Sequence, residues 1–79
     1  MTEQGPPASA LDTDSEYRAA VVDLLAVLAY GELTAFERLA ADAAMAPTID
    51  DKAALAGMAT AEYRHFLVLR DRLASLGVD

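Results

Sequence analysis

The sequence predicts an all-α fold, an antiparallel hairpin of two long helices, and three observations carry that prediction. From residue 14 to Met45 no proline occurs and alanine and leucine dominate, the residue types that lose least side-chain freedom in a helix. Ala46-Pro47-Thr48 breaks the run, because Pro47 has no amide to donate and disfavours helical backbone at Ala46. A second run of similar character then reaches Leu76 and Gly77. So short a link sets the two helices side by side and antiparallel.

Each element has its own warrant. Residues 1 to 12 carry Gly5, Pro6, Pro7 and small polar side chains without periodicity, and read as a disordered acidic tail. Thr13-Asp14-Ser15-Glu16 fits the S/T-x-x-E capping box, which starts the first helix near residue 14. That helix runs to about residue 45, roughly 48 Å at 1.5 Å per residue. After the turn at 46–48, Thr48 is placed to cap a second helix over about 49–76. Asp50 and Asp51 sit in its first turn and Arg70 and Arg72 near its end, both signs matching the helix dipole, and Gly77 suits the position just past it.

Length and composition exclude several functions. A chain of 79 residues buries only about 60% of the surface its unfolded form exposes, so small domains of this size usually lean on a disulfide, a metal or a partner. The sequence has no cysteine, which removes disulfides, zinc ribbons, iron–sulfur clusters and thiol catalysis. Its net charge of −7 argues against unaided nucleic-acid binding. The N-terminal residues lack the basic and apolar segments of a signal peptide. The longest nearly unbroken apolar stretch, Ala19 to Gly31, falls short of the roughly 20 residues that span a bilayer. A soluble, cytoplasmic protein without membrane contact is the expectation. With one histidine and no glycine-rich phosphate loop, neither a nucleotide fingerprint nor a hydrolase triad is present.

The informative feature is three polar residues on apolar faces. Successive helical residues rotate by about 100°, so each side chain can be placed relative to a reference. Within about 60° of Glu32 lie Val21, Leu25, Leu28, Ala29, Ala35, Phe36 and Leu39, whereas Asp23, Thr34 and Glu37 point to the opposite side. Around Glu62 the same construction collects Leu55, Met58, Ala59, His65, Phe66, Leu69, Leu73 and Leu76, with Thr60, Arg64 and Asp71 pointing away. Glu62 and His65 are neighbours at i, i+3. In an antiparallel hairpin, residues equidistant from the turn share a level, and positions 32 and 62 are equidistant from Pro47. The three residues are thus predicted to meet inside the helical pair, out of reach of water.

Burying two carboxylates together costs several kcal/mol unless something neutralises them, and a divalent metal does so most directly. The blander account pairs Glu32 and Glu62 with Arg or Lys, or leaves them protonated, and treats His65 as a hydrogen-bonded core histidine. No basic residue is predicted at their level on the same face. Two further positions carry expectations. Gly31 faces residue 63 across the hairpin, where it would give room to Tyr63 or allow close helix approach. Tyr17, Tyr30 and Tyr63 read as packing or interface residues rather than redox relays. Val22, Leu24, Val27, Leu33, Leu67 and Val68 fall outside both stripes, more apolar surface than a lone hairpin covers, which marks an interface.

A Glu on one helix level with Glu-x-x-His on its antiparallel partner, here Glu32 and Glu62-Tyr63-Arg64-His65, resembles half of the di-iron carboxylate site of the ferritin-like superfamily, which takes one Glu from each of two helices and Glu-x-x-His from each of two others. The segments Tyr30 to Leu39 and Ala61 to Phe66 are similar to the first helical pair of actinobacterial ferritin-like proteins related to a tRNA-modifying di-iron hydroxylase. The resemblance covers residues 14 to about 77 and implies that the hairpin is half of a ferritin-like four-helix bundle. It implies Glu32, Glu62 and His65 as metal ligands, Glu62 as the bridging carboxylate, and iron, with manganese as an alternative, as the cofactor. The activity implied is that of a di-iron oxidoreductase of oxidase, hydroxylase or ferroxidase type. Half of the site is lacking, so the implied partner is a second copy of the hairpin or a second helical pair. The competing reading is a non-enzymatic helical hairpin that docks through its apolar faces without metal, its polar cluster serving as a register device.

Overall fold

The computed structural model describes residues 14–78. The acidic tail and Thr13 lie outside them. Two helices, α1 (Ser15–Met45) and α2 (Ile49–Ser75), pack along one another as an antiparallel hairpin, and no strand occurs among the described residues.

The ends are set by local chemistry. α1 is capped by Asp14, whose Oδ1 accepts from the Tyr17 amide at 2.9 Å. This corrects the expected capping box by one residue: an aspartate satisfies the free amides as well as a threonine does. At the turn, Thr48 Oγ1 accepts from the Asp51 amide at 3.1 Å. The Lys52 Nζ reaches back to the Ala43 and Ala44 carbonyls at 3.3 and 2.9 Å, so one cation covers the carbonyl end of α1. α2 closes at Gly77, whose φ of +88° is the left-handed conformation a Cβ disfavours. The Val78 amide bonds to the Leu73 carbonyl and the Gly77 amide to that of Ala74, both at 3.0 Å, the two bonds of a Schellman motif.

The core is thin and is drawn from the predicted stripes. Its buried side chains among the described residues are Ala29, Ala59, Leu73 and Leu76. Ala29 and Ala59 each precede a site glutamate by three residues, which puts them about 60° round the helix from it. On the other flank of the stripes, Leu28 and Met58 are 47% and 55% exposed. At the level of the cluster the contact line between the helices therefore runs along one edge of each apolar stripe, whereas toward the end of α2 the buried Leu73 and Leu76 lie near the centre of its stripe and on its other side.

Bundle geometry gives the reason. In a square array of four helices the direction from one helix to the bundle axis lies about 45° from the direction to its neighbour. The stripes centred on Glu32 and Glu62 point toward such an axis, and the hairpin contact takes up one flank. The other flank, which carries Leu28 and Met58, faces open space. The residues placed outside both stripes divide accordingly. Val22, Leu33 and Leu67 are half-buried, because the contact line is rotated toward them. Leu24, Val27 and Val68 are exposed.

α1 is long and apolar enough to cross a membrane by length and composition, with an 18-residue window of mean hydropathy 1.7. The sequence expectation counted only the nearly unbroken stretch from Ala19 to Gly31. A window from 19 to 36 tolerates both Asp23 and Glu32 and still stays apolar.

Candidate metal centre

Glu32 comes from the middle of α1 and Glu62 and His65 from successive turns of α2. The helical pairing brings all three together: one ligand-type atom from each lies within 4.8 Å of the others. The His65 Nδ1 is 3.4 Å from Glu32 Oε2 and 4.0 Å from Glu62 Oε2, so Nδ1 is the ring nitrogen turned toward both carboxylates. This was not legible from spacing, because i, i+3 neighbours share a helix face whichever ring nitrogen turns inward.

The depth of the cluster differs from the expectation. The Glu32 and Glu62 side chains are 28% and 29% exposed, and that of His65 is 61% exposed. Water reaches the trio, because it sits on the rim of the helix contact and the adjoining flank is uncovered. One atom is the exception: Glu32 Oε2 is buried and has no hydrogen-bond partner.

The electrostatics are those of an unneutralised site. Among the described residues no lysine or arginine pairs with either glutamate, and His65 supplies a charge only when protonated. Hydrogen bonding to the neighbouring Glu32 carboxyl is the largest influence holding the Glu62 carboxyl above its ordinary range. Partial desolvation and the Glu32 charge act in the same direction, and His65 opposes them. A divalent cation would offset the repulsion between the two carboxylates. The donor set of two carboxylates and an imidazole without thiolate suits iron or manganese, and the orphaned Glu32 Oε2 is a lone pair left for such an ion.

The surroundings correct two expectations. A Cβ built on Gly31 meets nothing within 4 Å, so this glycine makes no room for Tyr63 or for helix approach within the hairpin. The Tyr63 ring instead packs between Phe36 and Phe66, with centroids at 5.5 and 5.9 Å, a packing role for that tyrosine. Arg70 lies over Phe66 at 6.0 Å from the ring centroid. Tyr17 and Tyr30 are exposed.

A long helical hairpin with a carboxylate–histidine cluster at mid-height defines a half-bundle protein of the ferritin-like class. The family described as "Ferritin-like domain, actinomycetes" matches residues 15–79, and the chain belongs to that family. No curated protein and no solved structure matches the chain.

Proposed function

We propose that this chain is an iron protein in which Glu32, Glu62 and His65 supply half of a di-iron, or di-manganese, carboxylate site. The carrying observation is that two carboxylates and an imidazole, from two helices of a ferritin-like chain, converge within 4.8 Å with no basic residue to neutralise them. A bound metal pair of this kind would supply two-electron redox chemistry with O2, for oxidation of an organic substrate or for iron handling.

The roles of the chain's own groups follow from their positions. Glu62, the carboxylate of the Glu-x-x-His motif, takes the bridging role that the family resemblance implies. Glu32 brings its buried oxygen as a ligand from the opposite helix. His65 presents Nδ1 as a neutral donor, and its exposed ring lies on the side by which small molecules reach the site. A second helical pair would complete the ligand set and shield it from water. A soluble, cytoplasmic setting suits a chain with no cysteine to oxidise. Asp23 and Glu32 also lie on opposite sides of α1, so no orientation in a bilayer would hide both from lipid.

The test is elemental analysis of the protein purified from iron-supplied cells, beside Glu62→Ala. Near-stoichiometric iron in the parent chain and its loss in the variant are the expected result. Equal metal content in the two would overturn the reading.

A further inference from the structure

We propose that Met58 is an oxidation site coupled to the metal centre: with iron held by Glu32, Glu62 and His65, its thioether takes an oxygen atom from hydrogen peroxide and thereby spares the imidazole ligand. This rests on the metal-site reading above and adds to it a modification and its oxidant.

The position comes from the helix. Met58 precedes Glu62 by four residues of α2, which stacks the two side chains on one face with about 5–6 Å between their Cβ atoms. Met58 and His65 lie about 40° and 60° from Glu62 on the same side of the helix. Both open to solvent there, Met58 at 55% and the His65 side chain at 61%. Glu62 stands between them along the axis, about 6 Å from Met58 and about 4.5 Å from His65 at 1.5 Å per residue. The long, flexible methionine side chain can therefore reach an oxidant engaged at the Glu62 carboxylate.

The chemistry singles out the same residue. The sequence has neither cysteine nor tryptophan, so a thioether is the softest group beside the cluster. Leu24, Leu28 and Val68, also exposed on that part of the molecule, offer peroxide no comparable atom. Tyr63 lies about 100° round α2 on the other side of Glu62 and is packed between Phe36 and Phe66. The sulfur lone pair attacks one peroxide oxygen: an S–O bond forms, the O–O bond breaks, and sulfur loses two electrons. The proton on the transferred oxygen passes to the departing hydroxide, which leaves as water. Methionine sulfoxide can be reduced back to the thioether, whereas oxidation of the His65 ring would remove a ligand.

Exposure alone gives a different order of reaction. Met45 is 85% exposed at the end of α1, about 20 Å along the axis from Glu32. Peroxide in bulk solvent oxidises Met45 at least as fast as Met58. An oxidant engaged at the metal reverses the order, because the neighbouring sulfur meets it at high effective concentration.

The experiment gives the full chain a small excess of hydrogen peroxide, either in chelator or after oxygen-free loading with Fe(II), and follows oxidation residue by residue with peptide mass spectrometry. Bound iron is measured in the same samples. In chelator, Met45 is expected to gain its oxygen first. With Fe(II), the Met58-to-Met45 rate ratio is expected to rise about tenfold or more, with His65 intact. Met58→Leu, at an exposed side chain outside the ligand set and of similar volume, is expected to keep its helical content and its iron. Its oxidation then shifts to His65, so that after peroxide it binds less Mn(II) by calorimetry than the parent chain does. Bound iron with a rate ratio no different from that in chelator overturns this proposal and leaves the metal site standing. No bound iron overturns both. Oxidation that falls first on His65 or Tyr63 in the iron-loaded parent overturns the choice of Met58, and equal loss of Mn(II) binding by parent and Met58→Leu overturns the protection of His65.

Discussion

Glu62 is the residue at which the chemistry of the cluster turns into a measurable pH dependence. Its carboxyl is raised from the usual 4.5 by the hydrogen bond with Glu32, by desolvation and by the Glu32 charge. The folded chain therefore holds this proton more tightly than the unfolded chain does, and stability falls as pH rises through the interval between the two values. The contribution of Glu62 is unfavourable above the folded-state pKa and is relieved as pH drops through it toward 4.5. In metal-free protein, the urea midpoint of the parent chain is expected to decline relative to that of Glu62→Gln as pH is raised from 4.5 to neutrality. Metal binding carries the opposite sign, because it needs the ligands deprotonated and weakens in acid. The convergence of Glu32, Glu62 and His65 was legible in the sequence, since helical phase and equal distance from Pro47 suffice to bring them together. Their half-exposed state was not, because phase says which face a residue shares and nothing about whether a neighbour covers it.

At the level of the helices, two glycines that look alike in the sequence behave oppositely. Gly31 lies in mid-helix with nothing within 4 Å of its Cβ position. Gly31→Ala is therefore expected to stabilise the metal-free hairpin by about 1 kcal/mol, the ordinary helix-propensity difference. Gly77 holds a φ of +88°, and a Cβ there would also meet the Arg18 Nη2 at 3.2 Å, so Gly77→Ala is expected to destabilise by about 1–2 kcal/mol. Urea denaturation of the two variants checks both signs. The role of Gly77 could be read from its place after a long apolar helix. That of Gly31 could not, because the reading assumed that residues level across the hairpin also touch. The contact line is rotated along α1 toward Ala29 and Phe36, and Gly31 falls on the far side of it.

As a whole molecule the hairpin is under-buried. Four residues, two of them alanines, form the buried apolar core among the described residues, too little to stabilise two long helices by a wide margin. A ligand that binds only the folded chain should then have a large effect. Free metal at about 100 times its dissociation constant adds about 2.7 kcal/mol, which in a domain of this size raises Tm by about 10 °C or more. Thermal unfolding followed by circular dichroism, with saturating Mn(II) and then with excess chelator, is expected to show that difference. A Tm indifferent to chelator would favour the docking hairpin without metal.

The order of elements, their caps at Thr48 and Gly77, and the meeting of Glu32, Glu62 and His65 follow from the chain alone, because they depend on interactions between near neighbours and on the symmetry of a short turn. Only the tertiary structure decided which flank of each stripe is used within the hairpin. Two helices touch along a narrow line, while the apolar stripe is wide enough to serve two neighbours. The choice between its flanks is made by side-chain packing across the pair, with Ala29 and Ala59 at the contact, and that choice leaves the carboxylates at the edge of an open face.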